Sequence, residues 1–124
     1  MRTSSAKAKG RKLQQTVRDA ILDLHPELTK DDVRSTSMGA TGVDVQLSAA
    51  AKRLFPWSVE CKSHASMAVY NLYLQARENT EEGTRPLLVV KQNHSDPLVV
   101  LSLEDFKCLL KQYKNVTMDT QSSK

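Results

Sequence analysis

The sequence predicts an α/β fold, a small mixed central sheet flanked by helices in the order α-β-β-α-β-β-α. Three observations predict it. Apolar residues recur at helical spacing near the start and the end of the chain, beginning with Leu13, Val17, Ile21 and Leu24. Val43–Leu47 and Trp57–Lys62 alternate with the period of two that marks strands. Leu87-Leu88-Val89-Val90 is an uninterrupted apolar run of strand length, as expected for a strand covered on both faces. With 124 residues, 40% of them hydrophobic, the chain suits one domain with one modest core.

Each element has its own local reasons. Residues 1–10 read as a flexible basic arm, residues 11–116 as the domain and residues 117–124 as a polar tail. The first helix stops where Pro26 follows Leu24. Residues 27–42 are polar and turn-rich, punctuated by Gly39 and Gly42. In Val43–Leu47 the apolar residues face the core while Asp44 and Gln46 face away. A connection follows, with a helical turn at Ala49–Arg53. It is short, so Trp57–Lys62 is expected antiparallel to the strand before it. Ser66 is placed to cap a second helix reaching to Glu82, ended by Gly83 and Pro86. That helix carries a polar stripe of Asn71, Gln75, Glu78 and Asn79. Strands over Pro86–Gln92 and Leu98–Leu101 flank a turn at Asn93–Pro97. Ser102-Leu103-Glu104-Asp105 opens the last helix, with Phe106, Leu109, Leu110 and Tyr113 on one face.

Composition excludes several classes. No apolar run approaches the length of a membrane span. The basic start lacks the apolar stretch of a secretory signal. Cys61 and Cys108 are expected to be buried free thiols in a reducing compartment. No Cys/His spacing suits zinc. Charge is uneven: five of the 18 Lys+Arg, including Arg11 and Lys12, fall in the first 12 residues, and the remaining 13 nearly balance the 14 Asp+Glu. A basic segment on a near-neutral body suits a polyanion such as a nucleic-acid backbone.

The chemistry concentrates on Glu60-Cys61-Lys62. Period two sends Glu60 and Lys62 to the same strand face, with Cα atoms about 7 Å apart. Asp44 lies sixteen residues upstream on the polar side of its own strand. Two carboxylates suit Mg²⁺, which often takes only one or two and keeps several waters. Asp44 and Glu60 are the candidate metal ligands, with the backbone carbonyl of Cys61 as a third. Lys62 can orient or deprotonate an attacking water, or stabilise developing negative charge. Beside two carboxylates it stays protonated, which favours the electrostatic role. Such a set suits phosphodiester hydrolysis.

Arg34–Gly39, Gly42-Val43-Asp44-Val45 and Val59-Glu60-Cys61-Lys62-Ser63 together resemble the PD-(D/E)XK nuclease superfamily, most closely its archaeal Holliday-junction-resolvase-like branch and small phage endonucleases. The match spans about residues 10–90. It implies a restriction-endonuclease-like fold and a Mg²⁺- or Mn²⁺-dependent DNA endonuclease selective for branched DNA or junctions. It further implies a homodimer and a cytoplasmic setting in a bacterial or phage-infected cell. By the same resemblance, Gln75 contacts the catalytic water, a phosphate or a ligand carboxylate, and Arg34 and Ser37 contact the scissile phosphate. Resolvase-like members carry a glutamate in the first helix. Here the matching segment offers glutamines, with Gln15 expected as the weaker equivalent and Asp19 or Asp23 as substitutes. Lys52, Arg53 and His64 are further candidates for backbone phosphates. The alternative function is a nucleic-acid-binding protein of nuclease fold with little or no catalysis, and a third is an α/β interaction protein with incidental acids.

Overall fold

Helix α1 (Arg2–Leu24) packs on a β-layer through Leu13, Val17 and Ile21, the stripe that the sequence pattern marks. The computed structural model describes residues 2–36, 42–64 and 68–122, with side chains described between residues 6 and 115. After α1 come β1 (Val33–Ser35), β2 (Val45–Leu47), α2 (Ala49–Leu54), β3 (Trp57–Ser63), α3 (Val69–Glu78), β4 (Arg85–Lys91), β5 (Leu98–Val100) and α4 (Leu103–Ser122). The result is a mixed α/β structure holding a three-stranded sheet and a two-stranded ribbon, flanked by helices.

In the sheet the order is β3-β4-β5. β3 and β4 run parallel, with Glu60 opposite Leu88 and Lys62 opposite Val90. Parallel neighbours need a crossover, which α3 provides. β5 returns antiparallel to β4, Leu98 pairing with Val90. The ribbon is β1 antiparallel to β2, with Arg34 opposite Gln46.

The expected antiparallel pairing of Val43–Leu47 with Trp57–Lys62 does not form. β2 is only three residues long, and its ladder partner is β1, which lies inside a segment that reads as turns. The connection after β2 is occupied by α2, capped by Ser48, whose Oγ accepts from the Ala51 N–H at 3.1 Å. A backbone hydrogen bond from Asp44 N–H to Val59 O, 2.9 Å, joins ribbon to sheet.

The apolar run in β4 serves two cores, as its pattern implies. Val89 joins Leu13, Val17, Ile21, Val33, Val45, Val59 and Cys61 on the α1 side. Leu88 and Val90 pack with Ala76 of α3 on the other side. Leu24 does not extend the first core: at the last position of α1 it is 65% exposed, and Leu28 takes its place.

Other boundaries shift. α1 begins at Arg2, so Lys7, Lys9, Arg11 and Lys12 stand on a helix. α3 ends at Glu78, where Asn79 caps it, and a turn containing Gly83 at φ +79° follows. α4 runs to Ser122. Cys61 is buried but Cys108 only half-buried, and both are free. Ser37, Gly39 and Ser66 lie outside the described residues. No helix among the described residues is long and apolar enough to cross a membrane.

Leu13 is 2% exposed, so Leu13→Ala should cost about 2–5 kcal/mol. Leu24→Ala should cost no more than about 0.5 kcal/mol beyond the change in helix propensity. Urea melts of both variants check the assignment, and equal losses would contradict it.

Candidate active site

β3 carries the site because both of its faces are covered. Ser58, Val59, Glu60 and Cys61 are all buried. Val59 and Cys61 face the α1 core, while Glu60 and Lys62 project toward the α3 side. The polar face of β3 is therefore closed around Glu60, which is 6% exposed. Its Oε2 lies 3.4 Å from Lys62 Nζ. Asn79 Nδ2, just past the end of α3, donates to Glu60 Oε1 across a long 3.5 Å. A buried carboxylate needs such partners, since an isolated buried charge is costly.

Asp44 is brought to β3 by the chain just before β2. Gly42 takes φ +93°, a left-handed value open to glycine and strained for other residues. Val43 is then buried, and Asp44 meets the β3 backbone with both its main chain and its side chain. Its N–H donates to Val59 O, and its Oδ2 accepts from the Cys61 N–H at 2.7 Å. The carboxylate thus sits between Glu60 and Lys62 in sequence register, close enough to feel both charges.

Burial raises the Asp44 carboxyl above its ordinary value, with the Glu60 charge adding to it; the Cys61 hydrogen bond and Lys62 act against this. Burial, then the Asp44 and Glu60 charges, push the Cys61 thiol far up, so it is not a nucleophile. The resulting cluster has two carboxylates and one ammonium around one backbone amide. Among the described residues no third His, Cys, Asp or Glu joins them.

The other candidate residues scatter once placed in the fold. Gln15 is exposed, and the buried glutamine of α1 is Gln14, 3% exposed. Helical geometry explains the exchange: Gln14 lies three residues before Val17 and seven before Ile21, on the core flank, whereas Gln15 points away. Asp19 pairs with Arg18, and Asp23 is exposed. Gln75 is exposed on α3; Asn79, four residues on in the same polar stripe, is the residue that touches Glu60. Arg34 is exposed on β1 and lies 3.6 Å from Asp31. Lys52 pairs with Glu81, whose N–H bonds Ser58 Oγ, about 13 Å along β3 from Lys62. Arg53 and Arg11 are exposed. His64 follows β3, its N–H donating to Lys91 O at 3.1 Å. Lys12 lines a cavity with Ser63 and Lys91. No family model, curated protein or solved structure matches the chain.

A raised folded-state pKa means that the ionised Asp44 opposes folding. Its favourable contribution is complete below its ordinary 3.8 and lost as pH rises through the folded-state value. Asp44→Asn keeps an acceptor for the Cys61 N–H without the charge. In EDTA at pH 7 it should therefore be more stable than the parent by about 0.5–2 kcal/mol, a gain that vanishes toward pH 3. Denaturant melts across pH check this; a less stable variant at pH 7 would refute the assigned cause.

Proposed function

We propose that this chain is a metal-dependent DNA endonuclease of the PD-(D/E)XK type. The observation that carries the reading is the bond from the Cys61 N–H to the Asp44 carboxylate, made between Glu60 and Lys62, which pair with each other. Burying Glu60 beside Lys62 is weak evidence for a stabilising role, because desolvation offsets the attraction of such a pair. A carboxyl raised by burial next to it is a feature that catalytic carboxylates share.

The donor set fits a hard divalent ion. Asp44 and Glu60 offer carboxylate oxygens, and Mg²⁺ or Mn²⁺ commonly takes only one or two protein carboxylates. The Cys61 carbonyl is the remaining nearby backbone donor. A bound ion would supply Lewis-acid polarisation of the phosphodiester and a more acidic water. The chain's own residues do the rest. The Cys61 N–H fixes the Asp44 carboxylate through Oδ2, leaving Oδ1 for a ligand. Asn79 and Lys62 hold the two oxygens of Glu60. Lys62, beside the two acids, offers N–H donors to the non-bridging phosphate oxygens as charge builds. Hydrolysis adds water oxygen to phosphorus and breaks one P–O ester bond. The leaving oxygen takes a proton and the product phosphate keeps the negative charge.

DNA is the substrate the basic α1 segment suits, and selectivity for branched DNA would follow from shape and backbone contacts. Paired cuts at a junction require two sites, hence a homodimer. The surface offered for it is the apolar side of α3, β5 and α4, where Tyr70, Leu98, Leu103, Phe106 and Leu110 are exposed. A second reading, a binding module with little catalysis, is favoured by one observation: the buried polar residue of α1 is the amide Gln14, where a resolvase-like site would have an acid.

Purified protein should nick or cut supercoiled and four-way-junction DNA with Mg²⁺ or Mn²⁺ and not with EDTA. Lys62→Ala and Glu60→Gln should each lower the rate about 10²–10³-fold while DNA binding persists. Binding without any cleavage by the parent chain would favour the second reading.

A further inference from the structure

The carboxyl ends of the parallel pair β3 and β4 open into a cavity of about 460 Å³. Crevices outside the carboxyl ends of parallel strands are the usual ligand position in α/β sheets. This one is roofed by α1 and walled by the β4–β5 turn. Its lining includes Lys9, Lys12, Thr16, Ser63, Lys91 and His94, and no acid among the described residues. Lys9, Lys12 and Thr16 stand at i, i+3 and i+7, one ladder along α1 with neighbours about 5–6 Å apart. Lys9 Nζ donates to Asn93 Oδ1 at 2.9 Å, tying helix to turn without neutralising its charge. Lys91 Nζ donates to the Gln92 carbonyl at a long 3.4 Å.

Lys52, Lys62, Arg34 and Arg85 each face a carboxylate. Among the described residues, Lys9, Lys12 and Lys91 have no carboxylate within ion-pair distance. Among the same residues several cations outside the groove, such as Lys30, Arg53 and Arg77, also lack an ion pair, so what sets these lysines apart is that they line one cavity. Three unneutralised ammonium groups with the Ser63 hydroxyl, the Asn93 amide and the His94 imidazole around one cavity form an electrostatic sink for an anion chain, while the Thr16 hydroxyl donates to the Lys12 carbonyl. The cavity also adjoins the candidate active site. Ser63 follows Lys62 directly on β3, and His64 N–H bonds Lys91 O across the strand ends. The two sites project from opposite sheet faces but share one edge.

We propose that this groove holds consecutive backbone phosphates of the DNA arm flanking the scissile bond. The inference rests on the nuclease reading and adds the path of the strand: over the β3–β4 edge and along the Lys9–Lys12–Thr16 ladder of α1. The contacts are to phosphate, so they position the duplex and carry no sequence preference.

Fluorescence anisotropy in EDTA, with a labelled 30-base-pair duplex and a labelled four-way junction, tests it. The double variant Lys12→Glu/Lys91→Glu should weaken binding to both probes by at least about tenfold at 100 mM salt. It should also flatten the slope of log K against log salt by about 1–2, near 0.9 for each phosphate no longer neutralised. Lys30→Glu/Lys107→Glu carries the same charge change away from the groove and should bind nearly as the parent does. Lys12→Gln/Lys91→Gln, with folding checked by circular dichroism, repeats the test without charge reversal and should show a smaller loss in the same direction. Equal losses in the groove and control variants, an unchanged salt slope, or no parent binding would overturn the proposal. Parent cleavage with groove-variant binding intact would remove the groove and keep the nuclease. Groove-dependent binding with no parent cleavage in any divalent metal would keep the groove and remove the nuclease.

Discussion

The bond between Asp44 and the Cys61 amide is the constraint on which the site depends. At 2.7 Å it fastens a carboxylate from the β1–β2 ribbon to the middle of β3. The parallel bond from Asp44 N–H to Val59 O fixes the backbone beside it. Together they dock the ribbon on the edge of a sheet with which it shares no regular ladder. They also set where Asp44 stands relative to Glu60 and Lys62, the next residues on either side of Cys61. The docking has an electrostatic cost, since burial disfavours the Asp44 charge and Glu60 adds to it. A chain tuned for stability alone would place an amide or a hydroxyl there.

Much of this is legible in the residues. Period two correctly puts Glu60 and Lys62 on one face of β3, and the run Leu87–Val90 correctly indicates a strand with two covered faces. The stripe Leu13, Val17, Ile21 gives the core face of α1. The departures have physical causes. β1 is three residues in a polar stretch, too short for periodicity to register, so β2 is expected to pair with β3 and instead pairs with β1. Gln15, the expected site residue of α1, is exposed, and helical angles taken from Val17 and Ile21 put Gln14 on the buried flank instead. Asn79 is visible in the polar stripe, but only the early end of α3 turns it toward Glu60. The burial of Glu60 depends on the packing of α3, which no local pattern encodes.

Of the groove, only the basic segment holding Lys9 and Lys12 is legible in the residues. Lys9 and Lys12 are far in sequence from Lys91 and His94, and only the parallel β3–β4 pairing with α1 above it brings the two pairs together. Composition alone suggests a basic arm preceding the domain. In the fold these residues are turns of α1, continuous with the helix whose lower half fills the main core. A basic segment built into a packed helix presents its charges at fixed spacing, which a loose tail does not.

Manganese tests the central claim most directly. Crystals soaked in Mn²⁺, examined by anomalous diffraction, should show a peak within coordinating distance of the Asp44 and Glu60 carboxylates. The peak should be absent from Asp44→Asn crystals treated identically. Well-diffracting parent crystals with no manganese at these two residues, or with manganese bound only elsewhere, would contradict the account.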